Sequence, residues 1–148
     1  MIIVPDNNIL ISGLLWKGNP RKIINLAYRK KVEFYGSKET YEEFCRIVTY
    51  PRFKKALSRE IFTPQRLIID YKSIIKIVPT SRILVEVNVV KKDPDDDMFF
   101  RVAKASKAKI IVSGDPHLLE VKKYDDIRIV EPVVFLEIFP KLLGRLIY

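Results

Sequence analysis

Cysteine occurs once, as Cys45, so no internal disulfide can form and the fold must hold by packing. With one cysteine and one histidine, His117, the chain is also a poor candidate for zinc, which favours sulfur and nitrogen ligands. No apolar run approaches the ~20 residues that a membrane-crossing helix needs, so no membrane partner is expected. The opening MIIVPDNNIL lacks the basic n-region and the small-residue cleavage site of a secretory signal. Together these absences lead one to expect a protein of the reducing cytoplasm. Gly/Ser linkers, internal repeats and low-complexity tracts are missing too, and 148 residues suit one core, so a single domain is expected over 1–148. Glutamine is reduced to Gln65 while Ile, Lys and Arg are plentiful, a usage that resembles heat-adapted proteins and bears on stability, not function.

What the chain does contain is a globular balance, 48% hydrophobic and 30% charged, enough apolar material for a core. Lys and Arg number 27 against 18 Asp and Glu, a net charge of +9. Such a surface suits a polyanion, because Lys and Arg on phosphates release counterions. A lysine-rich solvated face is the plainer account of the same charge.

Two kinds of segment alternate along the chain. Ile2–Val4 is a short apolar run that stops at Pro5 and Asp6, a buried strand. Asn19 and Pro20 give an N-cap and a helix-starting proline, and a helix follows to about Lys31. Val32–Tyr35 reads as a strand. Ser37 caps a helix to about Thr49, which Pro51 ends. A helix pair covers roughly Lys54–Ile75, its second member opened by Thr63 and Pro64. Arg82–Val90 is strand-like, Asp95 or Asp96 opens a helix to about Lys107, and Lys109–Ser113 is the clearest buried strand. His117–Val121 forms a helical turn, Ile127–Val130 a strand, and Glu131–Phe139 a closing helix. Strands separated by helices predict a mainly parallel sheet covered on both faces, a three-layer α/β/α domain.

In open parallel sheets ligands bind beyond the carboxyl ends of the strands. Asp6 follows the first strand and Asp115 follows KIIVSG, so both are expected on that edge. Turning the helix Lys38–Thr49 by 100° per residue puts Thr40, Tyr41, Phe44, Ile47 and Val48 on its buried stripe. Glu42 then faces solvent, while Glu43 flanks the stripe and reaches toward a site beside the core. In Asp96–Lys107 the buried face is Phe99, Val102 and Ala103, flanked by Met98 and Phe100. Asp96 lies at its border, Asp97 points away, and Asp95 is the expected N-cap. Acids in a first turn also complement the helix dipole, which accounts for Asp95 and Asp97 but not for the mid-helix Glu43. Asp6, Glu43, Asp96 and Asp115 are thus the candidate catalytic and metal-binding set. Carboxylates so close repel unless a cation compensates, and oxygen-only ligation points to Mg²⁺ or Mn²⁺. Such a cation activates water against a phosphodiester.

At these residues the sequence resembles the PIN-domain family of metal-dependent ribonucleases, over nearly the whole chain. VPDNNILISGLLWKGNP resembles the opening motif, with Asp6 as the first acid and Asn8 as its polar support. SKETYEEFCRIVTYPRF resembles the second motif, with its glutamate on Glu43. DPDDDMFFRVAKASKAKIIVSGD resembles the third and fourth, putting Asp96, Ser113 and Asp115 in the site. The SGDPHLL and DPDD forms resemble the VapC-like toxins of toxin–antitoxin pairs. The resemblance implies an endoribonuclease acting on RNA, a small antitoxin partner and a homodimer. Asn7 stands where a threonine is usual, His117 takes a position acidic in many relatives, and Asp95 or Asp97 could replace Asp96.

His117 is a possible base or phosphate ligand, though a lone histidine near a helix start is more often a surface residue. Ser12 and Trp16 follow the first acid, where Ser12 could face substrate and Trp16 could stack on a base or serve as a core or dimer contact. Lys17, Arg21, Lys22, Arg52, Lys54 and Lys55 are candidate phosphate contacts or simply solvated. Cys45 reads as a small core residue, and Leu118, Leu119 and the terminal LLGRLIY as a partner surface or core. Two other functions compete with the nuclease. One is a non-catalytic RNA-binding module. The other is a phosphatase or receiver domain, disfavoured because the first strand ends Asp6-Asn7-Asn8 rather than in an acidic pair.

Overall fold

The computed structural model of the chain describes residues 1–51, 62–83, 89–91 and 94–147. One sheet runs through it, built from β1 (Ile2–Pro5), β2 (Glu33–Gly36), β3 (Ile75–Ile77), β4 (Ile110–Val112), β5 (Lys123–Tyr124) and β6 (Ile127–Val130). The strand order is β3-β2-β1-β4-β6-β5. Every neighbouring pair is parallel except β5 with β6. Its helices are α1 (Asn7–Leu15), α2 (Asn19–Tyr28), α3 (Lys38–Ile47), α4 (Pro64–Ile74), α5 (Asp97–Ser106), α6 (Pro116–Leu119) and α7 (Pro132–Ile147).

Successive side chains of a strand point to opposite faces, and this divides the core in two. Ile3, Phe34, Ile110, Val112 and Val130 face the layer of α1, α2, α3, α4 and α7. Val4, Ile111, Ile127 and Ile129 face α5, through Met98, Phe99, Val102 and Ala103. The result is the expected three-layer α/β/α domain, its parallel strands apolar on both sides.

The caps expected for two helices are present. Ser37 and Thr40 form a reciprocal capping box at the start of α3, and Thr63 accepts from the Arg66 N–H at the start of α4. The buried stripe of α3 is also as expected, with Glu42 exposed and Glu43 half-buried. At Gly36 a side chain would stand 2.6 Å from the Tyr71 hydroxyl and 2.9 Å from Thr40 Oγ1. Glycine there lets α4 and the first turn of α3 close over the end of β2.

Other expectations are corrected. Asn19 is the first residue of α2, and its cap position is Gly18, whose φ of 138° suits glycine. α1 is not foreseen at all, because its residues are apolar nearly all round and show no periodic contrast. Ile75 begins the short β3 instead of ending a helix. α7 passes Phe139 and carries Pro140 inside it, with Leu142 and Leu143 packing against the core beyond the proline. Asp95 is not the cap of α5. It lies in a 3₁₀ turn (Pro94–Asp96), and Asp96 occupies the cap position. Asp97 does not point away, being buried and accepting from the backbone N–H groups of Val89 and Val90 at 3.3 and 2.8 Å. The first member of the helix pair and most of the Arg82–Val90 strand lie outside the described residues, as do Arg52, Lys54 and Lys55.

Candidate active site

From β1 the chain moves outward on one side to β2 and β3, then returns on the other side to β4. The carboxyl ends of β1 and β4 therefore flank the switch point of the sheet, where a crevice opens in such folds. Asp6 leaves β1 and its N–H donates to the Val112 carbonyl of β4 at 3.0 Å, which ties the two strand ends together.

Asp6 is the centre of the cluster and is buried at 3% exposure. Its Oδ1 caps α1 by accepting from the Ile9 N–H at 2.8 Å, and its Oδ2 accepts from the Ser113 hydroxyl. Ser113 Oγ in turn accepts from the Asp115 N–H at 2.9 Å, and Asp115 caps α6 through the His117 N–H at 2.9 Å. Burial pushes the Asp6 carboxyl up to about 6. The bonds from Ser113 and Ile9 oppose that rise, and the charges of Asp115 and Glu43 add to it.

Glu43 is held from α1 by Asn7, which in the sequence stands out only as a departure from the usual threonine. Asn7 is buried, and its amide donates to Glu43 Oε1 at 2.8 Å and to the Thr40 carbonyl at 2.9 Å. Asn8, expected as the polar support, is instead exposed and lines a cavity with Ile9, Ser12, Gly114, Asp115 and Pro116. That cavity has a volume of about 360 Å³.

Asp96 is buried at the cap of α5. A helix leading into a parallel strand runs back across the sheet, so its N-terminus belongs to the carboxyl edge of the strands. Asp96 is thus on the edge of Asp6 and Asp115. Among the described residues, however, no three His, Cys, Asp or Glu side chains are assembled as a ready cation cage. Asp6, Ser113, Asp115 and Glu43 are brought together, and Asp96 shares their edge without completing such a cage.

The remaining candidates separate clearly. His117 is half-exposed, with Nδ1 4.0 Å from Asp115 Oδ1. Arg21 is half-buried, and its guanidinium donates to the carbonyls of Gly13 and Leu14 at the end of α1. Lys17 and Lys22 are exposed, Cys45 is half-buried and Leu118 is buried. A larger cavity of about 710 Å³ sits at the opposite, amino-terminal edge of the strands, between Met1, Ile2, Ile110 and Leu142. Its wall acids Glu33 and Asp126 are paired with Lys76 and Lys109, so it offers no comparable carboxylate cluster.

The sequence pattern of the PIN domain matches residues 3–117, a span that holds Asp6, Glu43, Asp96 and Asp115. The uncharacterized protein MJ1680 of Methanocaldococcus jannaschii is 29% identical to the chain, over 96% of this chain and 94% of that protein. No helix among the described residues is long and apolar enough to cross a membrane.

Proposed function

The chain belongs to the PIN-domain family, whose fold is of nuclease type, and we propose that it is a metal-dependent endoribonuclease that hydrolyses RNA phosphodiester bonds. The observation that carries this reading is the buried Asp6 at the switch point of a parallel sheet, joined through Ser113 to Asp115 and flanked by Glu43, which the neighbouring Asn7 holds. Desolvated carboxylates in mutual repulsion favour a hard divalent cation, and an all-oxygen donor set fits Mg²⁺ or Mn²⁺. Asp6, Asp96 and Asp115 would hold it. When bound, the cation supplies electrophilic stabilisation of the phosphate and a more acidic water.

The protein's own residues then have distinct roles. Ser113 keeps Asp6 oriented through its hydroxyl. Asn7 holds one oxygen of Glu43, and Glu43 takes the proton from the attacking water. Asp115, less buried than Asp6, faces the cavity where the strand lies. The net charge of +9 draws the polyanion in.

The test is cleavage of a fluorescent single-stranded RNA by the purified chain with Mn²⁺, with EDTA, and by Asp6→Asn prepared identically. Cleavage that requires the cation and disappears in the variant supports the enzyme, and equal cleavage by both proteins rejects this site. A second reading is a non-catalytic RNA-binding module, since among the described residues no three acids form a ready cation cage. RNA bound equally with and without Mn²⁺, and never cut, selects that reading. The toxin role, with a small antitoxin and a homodimer, is part of the proposal. Growth arrest on expression, relieved by a small neighbouring protein that copurifies with the chain, tests it.

A further inference from the structure

α1 is buried on almost every side: Asn7, Ile9, Leu10, Ile11, Gly13, Leu14 and Leu15 are all in the interior. Only Asn8 and Ser12, one turn apart, reach the surface, and Trp16 follows four residues later at 44% exposure. Asn8 and Ser12 lie along one stripe of the helix, and Trp16, the extended residue that ends the helix, stands at the end of that stripe with its N–H donating to the Ser12 carbonyl at 2.9 Å. One end of the stripe is in the site, since Asn8 and Ser12 share a cavity wall with Asp115. Its floor at Gly114 is open, with no atom within 4 Å of where a side chain would begin. The other end carries a large half-exposed indole, followed by the exposed Lys17, which pairs with no acid among the described residues.

We infer that this stripe is a docking track for single-stranded RNA, with Trp16 as the platform on which an unpaired base stacks. The inference rests on the ribonuclease reading for the direction of the track. Asn8 and Ser12 supply hydrogen-bonding groups to the strand, and Lys17 supplies charge to a phosphate. From Asn8 to Leu15 the helix rises roughly 10 Å at 1.5 Å per residue, and Trp16 follows at its end. That exceeds the ~3.4 Å rise of one stacked nucleotide, so the track holds more than one nucleotide beside the carboxylates. A duplex keeps its base faces stacked on one another, whereas a single strand can offer one to the indole.

Trp16 is the sole tryptophan, so its emission reports the platform directly. The full chain is titrated in EDTA with a short single-stranded RNA of mixed sequence, and with the same RNA annealed to its complement. The expected result is strong quenching by the single strand and little by the duplex. By anisotropy of the labelled single strand, Trp16→Ala weakens binding about 5- to 150-fold, the range for one lost base stack, and Trp16→Phe keeps most of the affinity. Unquenched emission while the strand binds, or equal affinity in a folded Trp16→Ala, overturns the inference. Emission that follows protein concentration instead of RNA also overturns it, marking Trp16 as a contact between copies. Quenching in EDTA with no cleavage of the same strand in Mn²⁺ leaves the track standing and removes the nuclease reading, while cleavage in Mn²⁺ without quenching in EDTA does the reverse.

Discussion

Replacing Asp6 by asparagine should make the metal-free protein more stable at neutral pH, although it removes a central group of the proposed site. Asp6 is raised from 3.8 to about 6 in the folded state, a rise of about 2 units, or ~3 kcal/mol at 1.36 kcal/mol per unit. The raised value means that the folded chain holds a proton which the unfolded chain releases between about pH 4 and about pH 6. Stability from this group is therefore fully present below about pH 4 and is lost as pH rises to about 6. Asparagine does not titrate, caps a helix as well as aspartate, and can still accept from the Ile9 N–H. The difference in unfolding free energy, variant minus native, should thus climb by roughly 2.5 kcal/mol between about pH 4 and about pH 7 and then level off. Urea unfolding in EDTA across that range measures it, and the pH-dependent difference is independent of any constant gain or loss from the new amide. A difference that stays flat with pH would refute the electrostatic account of Asp6.

Three further outcomes follow from the same geometry. Ser113→Ala removes a bond that lowers the Asp6 value, so the acid limb of the cleavage profile should move to higher pH; an unmoved limb contradicts the role given to Ser113. Asp97→Ala leaves the N–H groups of Val89 and Val90 without their acceptor and should cost roughly 1.5–3 kcal/mol in urea unfolding. Cleavage per folded molecule should be retained in that variant, whereas Asp96→Asn should lose it. Asn7→Ala frees Glu43 from its amide and should lower kcat with little change in KM, alongside a loss of about 1–3 kcal/mol in stability.

Much of this arrangement was legible in the residues. The alternation of β-branched runs with capped helices gave the layered sheet, and the spacing of Thr40, Phe44 and Ile47 turned Glu43 toward the site. Asp6 and Asp115 were readable because a parallel sheet has only one edge on which its ligand crevice opens. α1 was hidden by its own burial, since a helix wrapped in core has no polar face to betray its period. Asp97 was misjudged because helical rotation predicts only which way a residue points, while the backbone of Val89 and Val90 comes from elsewhere to cover it. The role of Asn7 was not legible because it depends on Thr40 and Glu43, more than thirty residues away in the chain.

The central claim, that Asp6 belongs to a divalent-cation site, is tested most directly by calorimetric titration of Mn²⁺ into the chain in buffers of different ionisation heat. A carboxyl that titrates at about 6 must give up its proton to bind a cation. At about pH 6 each Mn²⁺ should therefore displace roughly half a proton, falling toward none by about pH 8, and Asp6→Asn should abolish the binding. Binding of Mn²⁺ that releases no proton at either pH, and that is equally strong in Asp6→Asn, would contradict the account.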